Sequence, residues 1–205
     1  MHRKSPECDN QPRTYVSDMT HFLDENGLAP VGLPKEFYAM LNYHAAIVKA
    51  GSSHPGNTQF CSIIPCRRRP NRKPCGSYLT VTHQPDSVIH WQCPKCGEQG
   101  FISNWRETIY DLSGAIESDP TQRVSVLISC EEHKLLSKII TSSQEEDAII
   151  AGAVLTPDGV IVSGGMEDFD LLMGSIAFDA NHSEGAKHQR DMDSIYGKIE
   201  RLLEE

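Results

Sequence analysis

Five of the seven cysteines fall between positions 61 and 96, and this clustering constrains the fold more than any other feature of the chain. An odd number of cysteines without an apolar leader argues against a secreted disulfide framework, so we expect reduced thiols and a cytoplasmic protein. Thiols grouped so closely in a reducing compartment favour metal binding. The motif CPKCG at 93–97 has the spacing that lets one turn point two sulfurs at a single tetrahedral ion.

The cysteines that complete this site must come from Cys61, Cys66 and Cys75. Cys75 leads directly into a β-prone segment, and a predicted hairpin with its turn at 84–86 carries the chain back to Cys93. This arrangement favours Cys66 with Cys75, joined by an enlarged knuckle of sequence RRRPNRKP. The alternative pairs Cys61 with Cys66 as C-x4-C and leaves Cys75 unused, and the spacing alone leaves it open. A redox role for CPKCG is disfavoured because no βαβ pattern surrounds it.

The stretch C-RRRPNRKP-C-G…IHWQCPKCGEQGFISNW, within residues 60–112, resembles a rubredoxin-like zinc ribbon. More narrowly, it is similar to small bacterial ribbon proteins that share the Arg-rich knuckle and a G-x-I-S-x-W tail. The resemblance implies one structural Zn²⁺ held by Cys66, Cys75, Cys93 and Cys96. A closed four-thiolate site offers no open position for water or substrate, so we expect the metal to stabilise the fold and not to catalyse. The long first knuckle and the extra Cys61 depart from a simple ribbon.

Hydrophobic periodicity predicts an α+β fold in two units. Residues 31–112 should form an N-terminal helix, over 34–50, followed by the zinc ribbon with its antiparallel hairpin. Residues 123–205 should form a small acidic α+β domain with a short antiparallel sheet and a C-terminal helix pair. In that domain, a capping box predicts a helix that begins after Ser129 and ends near Ile140. We expect residues 1–30 to be mostly disordered and residues 113–122 to be a linker.

The net charge of −9 hides an asymmetry along the chain. Residues 119–205 hold 7 Lys/Arg against 17 Asp/Glu. By contrast, the knuckle carries five positive charges within seven residues, and these are Arg67, Arg68, Arg69, Arg72 and Lys73. The basic loop would attract a polyanion that the acidic half would repel. Two interpretations carry equal weight: a phosphate-binding loop, or a solvated loop whose arginines pair with the acidic unit.

These features favour a zinc-stabilised binding module whose partner, a protein or a nucleic acid, meets the ribbon and its Arg-rich knuckle. One alternative is an enzyme or enzyme subunit with a site near His182 and His188. Another is a protein-only regulatory or assembly factor, for which the last two helices would provide a homodimer face. We expect Trp91 and Trp105 to pack as the ribbon's core. No apolar run approaches the ~20 residues that a membrane span needs, so we expect no membrane association.

A smaller polar cluster surrounds the predicted connection between the last two helices. It contains Asp179, His182, His188 and Asp191. These side chains could form a second metal site or an acid–base pair. We favour an ordinary polar connection, because the intervening Gly185 is a helix breaker and nothing then fixes the four side chains on one face.

Overall fold

The computed structural model describes residues 11–54, 56–84, 86–115, 123–183 and 185–204. The chain divides into two compact units, the first formed by Met1–Gly51 with Gly56–Tyr110 and the second by Ser52–Pro55 with Asp111–Glu205. Both units mix helices and strands, which confirms the α+β class. Most of the predicted linker 113–122 lies outside the described residues.

In its described part, the first unit contains one long helix and five strands. Their bounds are β1 Thr14–Asp18, α1 Lys35–Ser52, β2 Gln59–Pro65, β3 Tyr78–His83, β4 Ile89–Gln92 and β5 Gln99–Ser103. The strands pair in the order β1-β5-β4-β3-β2. Only the β1–β5 pair is parallel; the other pairs are antiparallel.

The predicted hairpin is present as β3 and β4, but the sheet that contains it is larger than we expected. A two-stranded hairpin leaves both outer edges without backbone partners and is marginally stable alone. Here β2 covers one edge through Phe60, which pairs with Val81, and β5 covers the other through Ile102, which pairs with Ile89. The hairpin therefore lies at the centre of a sheet.

The expectation of disorder up to residue 30 does not hold for residues 14–22. Residues Thr14–Asp18 form β1, which receives its backbone hydrogen bonds from β5. A short 3-10 helix at Met19–Phe22 follows and buries Met19 and Phe22. Because these two apolar residues lie in an otherwise polar segment, the sequence shows no hydrophobic pattern that would predict their burial. Residues 1–10 lie outside the described residues.

The core of the first unit forms where α1 faces the sheet. Alternate residues of the strands are buried, including Leu79, Ile89 and Ile102 at 0% exposure. Trp91 and Trp105 are also buried, as predicted. The flat face of the Trp91 indole lies against the backbone of Gly100, where an added Cβ would come within 2.7 Å of the ring. Only glycine fits there without displacing the indole.

The second unit contains a three-stranded antiparallel sheet and four helices among its described residues. Their bounds are β6 Val124–Ile128, α2 Cys130–Leu136, α3 Gln144–Ala151, β7 Val154–Thr156, β8 Gly159–Gly164, α4 Met166–His182 and α5 Ala186–Leu203. The strands pair in the order β7-β8-β6. The capping box is present, because Ser129 Oγ accepts from the Glu132 amide and the Glu132 carboxylate accepts from the Ser129 amide. Helix α2 ends at Leu136, four residues earlier than predicted.

The two C-terminal helices pack through the apolar stripes that the sequence predicts. The buried members on α4 and α5 include Phe169, Leu172, Ile176, Ala180, Met192, Ile195 and Ile199. Lys198 on α5 also pairs with Glu132 at the start of α2, at 2.7 Å. The apolar stripe of each helix is thus buried inside the unit. No helix in the described part of the chain is long and apolar enough to cross a membrane.

Two glycine substitutions should change stability in opposite directions. Gly100→Ala forces a methyl group into the Trp91 indole, and overpacking of this kind costs roughly 1–3 kcal/mol. Gly197→Ala on α5 meets no atom within 4 Å, so it should stabilise the helix by up to ~1 kcal/mol. Urea unfolding followed by circular dichroism would measure both changes. Equal midpoints for the two variants would contradict the packing described for Trp91.

Candidate metal centre

Four cysteine sulfurs converge in the first unit. The Sγ atoms of Cys66, Cys75, Cys93 and Cys96 all lie within 4.8 Å of one another. The Cys66–Cys96 and Cys75–Cys93 sulfurs are each 3.6 Å apart. That is far beyond a disulfide bond of ~2 Å. It is close to the ~3.8 Å spacing of sulfurs arranged tetrahedrally around one ion with ~2.3 Å bonds. The four residues therefore fit a shared metal ion.

Two loops present these sulfurs, one leading into β3 and one following β4, so both lie at the open end of the hairpin. In the first loop, the Cys66 amide donates to the Ser77 carbonyl at 2.8 Å and the Cys75 amide to the Arg68 carbonyl at 2.9 Å. In the second, the Cys93 amide donates to the Glu98 carbonyl at 2.7 Å. A glycine with positive φ follows each cysteine loop, Gly76 at 69° and Gly97 at 73°. A side chain at these positions would strain the turn that orients the sulfurs.

Backbone amides donate hydrogen bonds to two of the sulfurs, and these bonds would stabilise the thiolate charge that metal binding requires. The Cys96 and Lys95 amides donate to the Cys93 sulfur. Burial raises the pKa of Cys93, but these donors outweigh it and lower the pKa to about 7. The Arg68 amide donates to the Cys66 sulfur in the same way, although burial still raises the pKa of Cys66 above its usual value. Burial also raises the pKa of Cys75. Ionising all four thiols together therefore requires a cation among them.

Cys61 lies outside this group. It is half-buried on β2, and its thiol lies 4.0 Å from the Ser62 carbonyl oxygen, at the outer limit of a hydrogen bond from sulfur. Burial raises its pKa, so the thiol is neutral at pH 7. The geometry thus groups Cys66 with Cys75, and the alternative C-x4-C pairing with Cys61 has no counterpart in the fold.

An ion pair that sequence reasoning missed ties the two cysteine loops together. Arg68 Nη1 lies 2.6 Å from Glu98 Oε2, and both side chains are more than 90% buried. The other carboxylate oxygen of Glu98 accepts from the Tyr15 hydroxyl at 2.7 Å. The Arg68 amide supports Cys66 and the Glu98 carbonyl supports Cys93, so this pair links the two halves of the site. No periodic pattern joins residues 30 positions apart, which is why the sequence did not show the pair.

The five basic residues of the knuckle are therefore not equivalent. Arg68 forms the buried ion pair with Glu98. Arg67 donates to the Ala39 carbonyl at 2.7 Å, and its guanidinium lies 4.4 Å from the centre of the Tyr43 ring. Arg69, Arg72 and Lys73 are exposed, and no described residue accepts a hydrogen bond from their side chains. These last three are the cations that a partner can reach most directly.

The polar cluster near the last two helices does not resemble the cysteine site. His188 Nε2 pairs with Asp179 Oδ2 at 2.5 Å, whereas His182 Nδ1 donates to the Phe178 carbonyl of its own helix. Within the described ranges, the four cysteines are the one group of three or more metal-ligating side chains close enough to share an ion. Asp179 and His188 are best described as a contact between α4 and α5.

Comparison of the chain with protein-family models, with curated proteins and with solved structures gives no match. The function must therefore be inferred from the chemistry of the residues themselves. That chemistry is a closed set of four thiols, tied together by a buried ion pair and bordered by exposed cations.

Glu98→Gln should destabilise the first unit. The substitution keeps the shape of the side chain but removes the carboxylate charge that the buried Arg68 contacts at 2.6 Å. Removing one partner of a buried pair costs roughly 3–5 kcal/mol, and hydrogen bonds to the amide place this variant at the lower end. Glu25→Gln, at an exposed position, is the matched control. Both tryptophans lie in the first unit, so urea unfolding followed by tryptophan fluorescence reports on it. Equal unfolding free energies for the two variants would show that the pair contributes nothing.

Proposed function

We propose that the chain is a zinc-stabilised binding module that contacts nucleic acid through the exposed cations of its Arg-rich knuckle, residues 66–75. One observation carries this proposal. The loop that supplies two of the four converging thiols also presents Arg69, Arg72 and Lys73 to solvent. A metal that anchors this loop would hold those cations in a defined arrangement.

Zn²⁺ is the ion that we assign to the site. Four thiolates in a tetrahedron suit zinc or iron, and the resemblance of residues 60–112 to zinc ribbons favours zinc. With all four positions taken by sulfur, the ion has no vacancy for water or substrate. Its contribution is to stability, because residues 67–74 bury little apolar surface of their own.

The charge distribution supports a polyanionic partner for the first unit. That unit holds 12 Lys/Arg against 9 Asp/Glu, whereas the second holds 7 against 19. Arginine presents a planar fork of donors that matches phosphate oxygens, and several such contacts together give the bulk of nucleic-acid affinity. The acidic second unit would repel a polyanion.

A protein-only assembly role is the second candidate. On the outer side of α4, Leu171 and Phe178 remain 46% and 60% exposed, and Ile140 beside them is 84% exposed. Such a patch can serve a protein partner or a second copy. An enzyme near His182 and His188 has weaker support, because each of these side chains is already hydrogen-bonded within the helix pair.

Purified protein should contain one zinc ion per chain. Cys75→Ser and Cys93→Ser should each lose most of the metal, because a serine hydroxyl is a poor ligand for a site built from thiolates. Cys61→Ser is the matched control and should retain the full complement. Elemental analysis by mass spectrometry measures all three. Metal loss in Cys61→Ser with retention in Cys75→Ser would reverse the ligand assignment.

Binding to nucleic acid should weaken steeply with salt and depend on the knuckle. Replacing Arg69, Arg72 and Lys73 together by Gln removes up to three phosphate contacts, so the slope of log affinity against log salt should fall by roughly 2–3. The control variant replaces Lys138, Arg190 and Arg201, three exposed cations of the second unit, and changes net charge equally. Fluorescence anisotropy with labelled DNA and RNA measures both. Undetectable binding at low salt would remove the nucleic-acid role and favour a protein partner.

A further inference from the structure

We propose that a cavity beside the cysteine site holds one nucleotide of a single strand, with the base stacked on Tyr15 and the phosphate on Arg67 and Arg69. This inference rests on the proposed function and specifies how the partner is recognised. The cavity lies within the first unit and has a volume of about 360 Å³. That is at the small end of ligand sites and suits one nucleotide rather than a helix or a strand of protein.

Helix α1, strand β1 and the Arg-rich knuckle contribute most of the residues that line this cavity, and Trp91 of β4 and Glu98 lie beside them. Helix α1 contributes Met40 and Tyr43, strand β1 contributes Tyr15, and the Arg-rich knuckle contributes Arg67 and Arg69. Met40 and Tyr15 are 45% and 40% exposed, so the opening is lined by apolar and aromatic surface that water contacts. This mixture of a ring platform and cations is the combination that single-strand binders use.

The aromatic platform is a stack that ends in an accessible ring. The Tyr15 and Trp91 rings are nearly parallel, at an angle of 18° with their centres 6.0 Å apart. Tyr43 meets the same indole edge-on. Trp91 is 4% exposed and held against Gly100, whereas Tyr15 faces solvent. A base placed on Tyr15 would therefore extend a stack whose position is already set by the core.

The electrostatics of the cavity favour an anion. Among the described residues that line it, Glu98 is the one carboxylate, and Arg68 neutralises that charge at 2.6 Å. Arg67 is held in place by the Ala39 carbonyl and the Tyr43 ring. Arg69 is exposed beside it. Arg67 and Arg69 thus present two guanidinium groups of the knuckle that can contact a phosphate, and Arg13 also lines the cavity.

Internal hydrogen bonds hold the walls before any ligand arrives. Ser17 Oγ on β1 lies 3.0 Å from His44 Nε2 on α1. His44 Nδ1 donates to the Met40 carbonyl at 2.9 Å, so Nε2 is the acceptor for the serine hydroxyl. Burial lowers the pKa of His44 and keeps the ring neutral. Binding therefore requires little reordering of the strand that carries Tyr15.

This geometry distinguishes a single strand from a duplex. A base can reach Tyr15 only when its own stacking face is free, and in a duplex only the pairs at the two ends offer such a face. We therefore expect a short labelled single strand to bind more tightly than the blunt duplex of the same sequence. Between the ends of the duplex, only the phosphate contacts of Arg69, Arg72 and Lys73 remain.

The decisive comparison is between Tyr15→Leu and Tyr15→Phe. Both variants lose the hydroxyl that donates to Glu98, so the difference between them isolates the ring. Tyr15→Leu should weaken single-strand binding by roughly 5- to 150-fold, the range found when a stacking side chain is removed. Tyr15→Phe should bind almost as tightly as the unmodified chain. Anisotropy titrations at one salt concentration measure both.

A second pair of variants keeps the test valid if Tyr15→Leu fails to fold. Met40 is exposed on α1, so Met40→Glu should fold normally and place a carboxylate where the nucleotide would lie. Met40→Gln has the same length without the charge. Only Met40→Glu should abolish the preference for the single strand.

Competition separates the two sources of a nucleotide. AMP that displaces the strand, while ribose 5-phosphate does not, would show that a free nucleotide occupies the cavity. If AMP does not compete but Tyr15→Leu still weakens binding, the nucleotide is recognised as part of the strand.

The proposal is overturned if Tyr15→Leu and Met40→Glu bind as the unmodified chain does, or if duplex and single strand bind equally. In either case, binding that still depends on Arg69, Arg72 and Lys73 would leave the proposed function standing. Loss of all binding at low salt would remove both.

Discussion

In the first unit, four thiols meet at one point, and three of them are buried. Without a cation, burial and mutual repulsion oppose their ionisation, and the pKa values of Cys66 and Cys75 are raised accordingly. With a divalent ion, the same burial becomes an advantage, because the bonds form away from competing water. The two loops that carry the sulfurs would then be held in place by the coordination that we propose.

The Arg68–Glu98 pair connects the loops that carry the sulfurs to the surface of the unit. It joins the cysteine loops, fixes the tyrosine of β1 and removes one negative charge from the cavity at the same time. Consequently, the basic residues of the knuckle, which look alike in the sequence, occupy three different environments. Arg68 holds the interior, Arg67 is fixed against α1, and the exposed cations remain for a partner. The proposed metal, the ion pair and the proposed binding surface would therefore form one connected arrangement.

Much of the fold could be predicted because its determinants are local. The helical stripe before Gly51, the hairpin of β3 and β4, the Ser129 capping box and the two C-terminal helices all follow from periodicity or turn chemistry. Strand β1 could not be predicted, since its stability comes from pairing with β5, more than 80 residues away. The converging sulfurs include that of Cys75 and not that of Cys61, and the glycine and strand after Cys75 are local signals that favour this grouping. Glu98 and Tyr15 gave no comparable signal, because their roles exist only once distant segments meet.

The central claim is that four sulfurs hold one divalent ion with no other ligand. X-ray absorption at the zinc edge of the purified protein tests this most directly. The account predicts a single shell of four sulfur atoms at ~2.3 Å. A shell that includes nitrogen or oxygen atoms, or protein in which no metal edge can be recorded, would contradict it.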